Sequence, residues 1–171
     1  MSIKKTAKES LATMTEMVLP NDTNSLNNLM GGRLMHLMDI AGAICAQRHS
    51  NSIVVTASVD NVSFSSPIKL GDVLTLHARV TRSFASSMEI YIEVWAENLR
   101  AHTRIKSNEA FFTFVALDLQ GKPIKVPTLV PETEKEIRMF DEALRRRQLR
   151  LVLAGRMKAE EATELKSILG M

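Results

Sequence analysis

Between Gly31 and Ala46 the chain reads GGRLMHLMDIAGAICA, a run of helical apolar spacing with almost no polar face. Leu34, Met38, Ala41 and Cys45 fall on one stripe, and Met35, Asp39, Gly42 and Ala46 fall on the next. Such a helix must be wrapped by other structure, as happens when a sheet curls around one central helix. Asp39 is the one carboxylate in this setting. Burying an unpaired carboxylate among apolar neighbours is costly, so the group is expected to be buried and either paired, hydrogen-bonded or used in chemistry.

After the helix the period changes to two. In SIVVTASVDNVSF, Val55, Ala57 and Val59 alternate with Thr56, Ser58 and Asp60, which predicts a strand with two different faces. Residues 73–84 and 87–98 alternate again, with Phe84–Ser87 as the reversal between them. Asn108–Asp118 is rich in β-formers and ends at a QGKP turn. A short strand near Thr13–Leu19 precedes the helix. PIKVPTLVPETE holds three of the five prolines and reads as an extended linker. Beyond it, Ile137, Phe140, Leu144 and Leu151 recur near helical spacing, so Glu134 to about Leu153 is expected to be an amphipathic helix ended by Gly155, with a short second helix after it. The expected class is α+β, with residues 1–130 forming the sheet-and-helix domain and residues 131–171 a charged helical extension.

The 171 residues, 45% apolar and 24% charged, suffice for one globular domain. The first twelve residues are polar, and no apolar run approaches the roughly 20 residues of a membrane-crossing helix, so a cytoplasmic protein is expected. Cys45 is the single cysteine, and His36, His49, His77 and His102 follow no metal-binding spacing; neither a metal nor a disulfide is expected. The net charge of +3 is spread among interleaved acids, with Arg145–Arg150 the one basic cluster, so nucleic acid is not an expected partner.

Ahead of the helix, PNDTNSLNNLMGG runs from a polar loop into a glycine pair. Gly31 and Gly32 would permit close approach of a ligand and present unpaired N–H groups at the positive end of the helix, a setting that suits a developing oxyanion. Tight helix packing is the other use of such a pair. Asn28 could orient a water or donate to a carbonyl oxygen, and could equally serve as a helix N-cap. His36, three residues before Asp39, invites a His/Asp dyad, although a partly exposed surface histidine is the commoner case.

PNDTN at Pro20–Asn24, NxxGG at Asn28–Gly32, MDxAG at Met38–Gly42, SPIKLGD at Ser66–Asp72 and IEVWAEN at Ile92–Asn98 together resemble the hotdog acyl-CoA thioesterases, in particular the cytosolic acyl-CoA hydrolase and YciA-like subgroup. The resemblance spans roughly Leu11–Leu151, and Asn27 departs from it, standing where relatives commonly carry glycine. It implies a hotdog fold, hydrolysis of acyl-CoA to free CoA and a carboxylic acid without a cofactor, and hotdog dimers that stack into hexamers as trimers of dimers. Asp39 matches the catalytic carboxylate, as general base or, less readily, as nucleophile. Asn28 matches a second catalytic position, and Gly31 and Gly32 match the pair before the helix. Thr56, Ser58, Asp60, Ser86 and Ser87 fall in the region that lines the substrate tunnel and CoA cleft, and Arg82 is placed to meet a CoA phosphate, as are Arg145–Arg147. A noncatalytic acyl-CoA-binding or regulatory hotdog module is the alternative, and the presence of Asp39 argues against it.

Overall fold

The computed structural model describes residues 3–169. Along the chain lie β1 (Lys4–Thr6), α1 (Ala7–Ser10), β2 (Ala12–Met17), α2 (Gly31–Ser50), β3 (Ile53–Phe64), β4 (Val73–Ser83), β5 (Ser87–Asn98), β6 (Thr103–Leu117), β7 (Thr128–Val130), α3 (Glu134–Leu153) and α4 (Thr163–Leu169). The backbone divides into two compact units, Met1–Val130 and Pro131–Met171.

In the first unit five strands form one antiparallel sheet in the order β2-β4-β5-β6-β3, and α2 packs against all five. Leu34, Leu37, Met38, Ala41, Gly42, Cys45 and Ala46 of α2 are buried against Leu74, Leu76, Ile90, Ile92, Phe112 and Phe114 of the sheet. Each large apolar side chain so buried contributes about 1.5–3 kcal/mol. Gly42 makes this approach possible: a Cβ there would lie 2.8 Å from the Phe114 ring and 3.2 Å from Ile92. Burial also drives the Cys45 thiol pKa up to about 12, which makes it a packing group.

The wrapping is incomplete. His36, Ile40 and Ile44 form an exposed stripe on α2, and Met35 and Asp39 are half-buried, so the expected full burial of Asp39 is corrected. Beside that stripe β3 pairs with β6 along one edge only, and its Ile53, Val55 and Val59 are exposed.

Three segments depart from expectation. The polar N-terminal residues fold as β1 and α1, with the Glu9 carboxylate accepting the Thr6 N–H at 2.7 Å. The proline-rich linker contains β7, which pairs in parallel with β1. The β6 strand starts five residues before Asn108 because Thr103–Lys106, although exposed and without apolar alternation, pair with Trp95–Asn98. His49 ties this corner together. Its Nε2–H donates to the Pro127 carbonyl at 3.0 Å and its Nδ1 lies 3.5 Å from Ser10 Oγ, in a fully buried setting that lowers the imidazole pKa.

In the second unit, Thr133 caps α3 by accepting the Glu136 N–H, and Gly155, with φ +66, follows its end. The Gln148 Oε1 accepts the N–H groups of Glu164 and Leu165, fastening α4 to α3.

Candidate active site

The loop before α2 is built almost entirely from its own polar groups. Thr23 bridges to Leu29, and at the tip Asn24 donates its N–H to the Asn28 carbonyl at 2.8 Å. Asn24 Oδ1 accepts the N–H groups of Leu26 at 2.9 Å and Asn28 at 3.2 Å. Asn27 holds φ +56, a left-handed conformation that asparagine tolerates better than most residues and that explains how it stands in a place suited to glycine. The loop is sewn to the connector after β3: Leu29 N–H donates to Ile68 O at 2.7 Å and Leu70 N–H to Asn27 O at 2.9 Å. The Asp72 carboxylate holds that connector by accepting the Lys69 N–H and the Asn98 side-chain amide.

Helix α2 begins at Gly31, and its N-cap is Met30, whose side chain caps nothing. Asn28 is therefore not the N-cap, which corrects that reading. The first-turn N–H groups of Gly31 and Gly32 have no intrahelical acceptor. A Cβ on Gly32 would meet nothing within 4 Å, so packing does not require glycine there, while one on Gly31 would lie 3.4 Å from the Phe64 ring. Phe64, Asn28, Leu34 and Ile68 are among the walls of a cleft of about 270 Å³ beside this turn.

Two turns further along α2, Thr56 Oγ1 of β3 donates to Asp39 Oδ1 at 2.6 Å. A bulge follows at once, since the register with β6 shifts between Thr56 and Ser58, so Thr56 faces the helix while Ser58 pairs with Thr113. Ser58 Oγ donates to Asp60 Oδ2 at 3.4 Å. Thr113 in turn pairs with Glu89, and Glu89 with Arg82. Three strand spacings therefore separate Ser58 from Arg82, about 14 Å. Arg82 lies over the Phe84 ring at 5.8 Å, the Ser86 carbonyl accepts the Ala116 N–H of β6 at 2.9 Å, and Ser87, whose carbonyl accepts the Phe84 N–H at 2.8 Å, opens β5 as a buried residue. Within one chain the structure thus brings Asp39 and Thr56 together, and sets the Arg82–Ser87 end apart from them. His36 is exposed and makes no hydrogen bond or ion pair with Asp39. In the second unit Arg146 binds Glu142 and the Met139 carbonyl.

Among the described residues no cluster of three or more His, Cys, Asp or Glu side chains could hold a metal ion, and no helix is long and apolar enough to cross a membrane.

One long helix laid in a curled antiparallel sheet, with a carboxylate at its open face and a glycine pair at its start, defines a hotdog protein. Residues 26–101 match the model of the thioesterase superfamily. The chain is 45% identical over 139 residues to YkhA of Bacillus subtilis, an uncharacterized acyl-CoA thioester hydrolase, with 81% of each chain covered. An apo-hexameric acyl-CoA thioesterase superposes with a TM-score of 0.86 at 39% identity, over 89% of this chain and 97% of that one. The acyl-CoA hydrolase of Staphylococcus aureus, solved with butyryl-CoA, CoA and CoA disulfide, superposes with a TM-score of 0.82 at 35% identity, over 96% and 99%. That hydrolase has also been solved with alanine in place of an asparagine, of an aspartate fifteen positions later and of a threonine seventeen beyond that. This chain belongs to the thioesterase superfamily, among the hotdog acyl-CoA thioester hydrolases.

Proposed function

We propose that this chain hydrolyses the thioester of acyl-CoA, with Asp39 as the base that directs water. The observation that carries the reading is the Asp39–Thr56 hydrogen bond. Its two residues stand 17 apart, the separation of the aspartate and threonine replaced in the S. aureus hydrolase. A thioester is an activated acyl group with a good thiolate leaving group, so hydrolysis asks for a positioned water and a stabilised oxyanion. Asp39 Oδ2 takes a proton from the water as its oxygen attacks the carbonyl carbon. The Gly31 and Gly32 N–H groups stabilise the oxyanion, and collapse of the tetrahedral intermediate expels CoA thiolate. No step calls for a cofactor.

The separations also favour Asn24 over Asn28 as the loop asparagine of the site, because Asn24 precedes Asp39 by the same fifteen positions. Its Oδ1 is engaged within the loop, and its amide Nδ2 is the group offered to substrate. Asn28 lies four residues on and lines the adjoining cleft.

Gly32 and Asp39 are seven positions apart on the helix, about 10 Å along the axis, further than one reacting carbonyl spans. A site using both is therefore assembled from two copies, with the oxyanion end of one helix facing the carboxylate of another. The open β3 edge and the exposed Ile40–Ile44 stripe supply a surface for such pairing. Three such dimers would make the hexameric assembly named for its structural neighbours. Thr56 then belongs with Asp39, while Ser58, Asp60, Arg82, Ser86 and Ser87 line the path of the CoA arm. The cytoplasm is the proposed compartment.

Release of free thiol by the purified protein from acyl-CoAs running from acetyl to palmitoyl tests the activity. Hydrolysis of one part of the series supports it. CoA binding without turnover at any chain length would instead favour a noncatalytic acyl-CoA-binding module.

A further inference from the structure

Asp22 occupies a position that the proposed chemistry does not use, although two hydrogen bonds from the start of the central helix end on it. Its Oδ1 accepts Arg33 Nε–H at 2.8 Å and its Oδ2 accepts Leu19 N–H at 3.1 Å. Its backbone carbonyl accepts the Met30 N–H at 2.9 Å. One residue therefore ties together the entry to the loop (Leu19), the N-cap of α2 (Met30) and the first turn of α2 (Arg33). The Asp22 carboxylate is largely buried, with 17% of its side chain exposed, and Arg33 is about one-third exposed. Asn24 sits two residues beyond Asp22, and Gly31 and Gly32 lie between Met30 and Arg33.

We infer that the Asp22–Arg33 ion pair is a latch that sets the distance and angle between the Asn24 amide and the Gly31–Gly32 N–H groups, making Asp22 and Arg33 positioning residues for hydrolysis. The inference rests on the reading of Asn24 and the glycine pair as parts of the active site. Without the latch, the loop still closes through Asn24–Asn28 and still pairs with the connector through Leu29–Ile68 and Leu70–Asn27. The fold therefore survives, while the loop gains freedom relative to the helix start. Displacement of a group by about 1 Å from its working place can cost on the order of 100-fold in rate, even when the change lies away from the chemistry.

The test compares Asp22→Asn, Arg33→Gln, the double variant and Arg33→Lys with the wild-type protein on whichever acyl-CoA the wild type hydrolyses fastest. Each single variant is expected to lower kcat by about 10- to 100-fold with KM little changed and Tm near the wild-type value. The double variant should be no slower than the slower single, as for two residues acting as one unit. Arg33→Lys, which keeps the charge, should recover part of the loss. Salt should slow the wild type more than Arg33→Gln, since a partly exposed ion pair is screened. Wild-type kcat in both singles, losses that multiply in the double, or losses that vanish when each variant is assayed well below its own Tm would overturn the latch. These outcomes are separate from failure of the site itself, which would show as a wild type without hydrolysis or an Asp39→Asn variant that keeps it.

Discussion

Thr56 Oγ1 and Asp39 Oδ1, 2.6 Å apart, join the open edge strand of the sheet to the central helix through a hydroxyl donating to a carboxylate. In the proposed reaction, Oδ1 held in this way leaves Oδ2 to face the water. A hydrogen bond to a charged group contributes about 1.5–3 kcal/mol, so its loss should cost about 10- to 100-fold in kcat where it fixes a base. Thr56→Val, which keeps the branched shape and removes the donor, should show that loss, and Thr56→Ser should keep most of the activity. Steady-state kinetics on both variants decide the matter: equal activity in Val and Ser variants would mean the bond has no part in turnover.

Two copies are needed for one site if the glycine pair and Asp39 act on the same carbonyl. Asn24→Ala and Asp39→Ala should each be nearly inactive alone. In a mixed dimer one seam carries both lesions and the other carries neither. Random reassembly at equal mixing should then give about a quarter of wild-type activity, provided that distant sites act independently. Native mass spectrometry verifies the exchange. Confirmed exchange with no recovery would place both residues in one site within a single chain. An Asn28→Ala variant run in parallel measures whether Asn24 or Asn28 is the asparagine that counts.

The two glycines Gly32 and Gly42 should respond oppositely to alanine. At Gly42 the new methyl would stand 2.8 Å from the Phe114 ring, and overpacking of this kind costs about 1–3 kcal/mol. At Gly32 nothing lies within 4 Å and the backbone is helical, so alanine should leave stability unchanged or raise it by about 0.4–1 kcal/mol. If Gly32 is there to admit substrate, that same variant should still lose kcat/KM. Urea unfolding and kinetics on both proteins separate the two roles, and a Gly32→Ala enzyme with full activity would return the residue to mere helix structure.

Acid should loosen the corner held by His49. Burial lowers its pKa from 6.5, with the Pro127 hydrogen bond and Glu9 opposing and Lys5 reinforcing the shift. The unfolded chain therefore binds the proton more readily than the folded one. The resulting contribution to stability is complete above about pH 6.5 and is lost as pH falls towards the folded value. The urea midpoint should drop between about pH 7.5 and about pH 5.5, and His49→Gln should flatten that dependence. An unchanged slope in the variant would assign the acid sensitivity to other groups.

Much of the frame was legible because period distinguishes a helix with adjoining apolar stripes from three runs alternating in twos, and the β-formers of Asn108–Asp118 marked a fourth strand. The helix read from Glu134 to about Leu153, on its apolar spacing and Gly155, is observed at Glu134–Leu153. β1, β7 and the start of β6 were not legible, since Lys4–Thr6, Thr128–Val130 and Thr103–Lys106 are too short or too polar to alternate, and their pairing is decided by tertiary context. Asp39 stood out as a lone carboxylate. Its partner did not, because the bulge after Thr56 and the choice of which face meets α2 are not written in the pattern of Val55, Ala57 and Val59. Asn24, the asparagine the proposal favours, was hidden differently: in a loop with four asparagines, Asn28 is nearer the glycine pair, and only the fifteen-position spacing in the related hydrolase distinguishes them.

The most direct test of the account compares wild-type protein with Asp39→Asn on the best acyl-CoA substrate, following CoA thiol release alongside CoA binding and circular dichroism. The amide is nearly isosteric with the carboxylate and cannot accept the water's proton. Turnover should fall by about 10²- to 10⁴-fold while fold and CoA affinity stay close to wild type. Hydrolysis by Asp39→Asn at the wild-type rate would contradict the assignment of this carboxylate as the base.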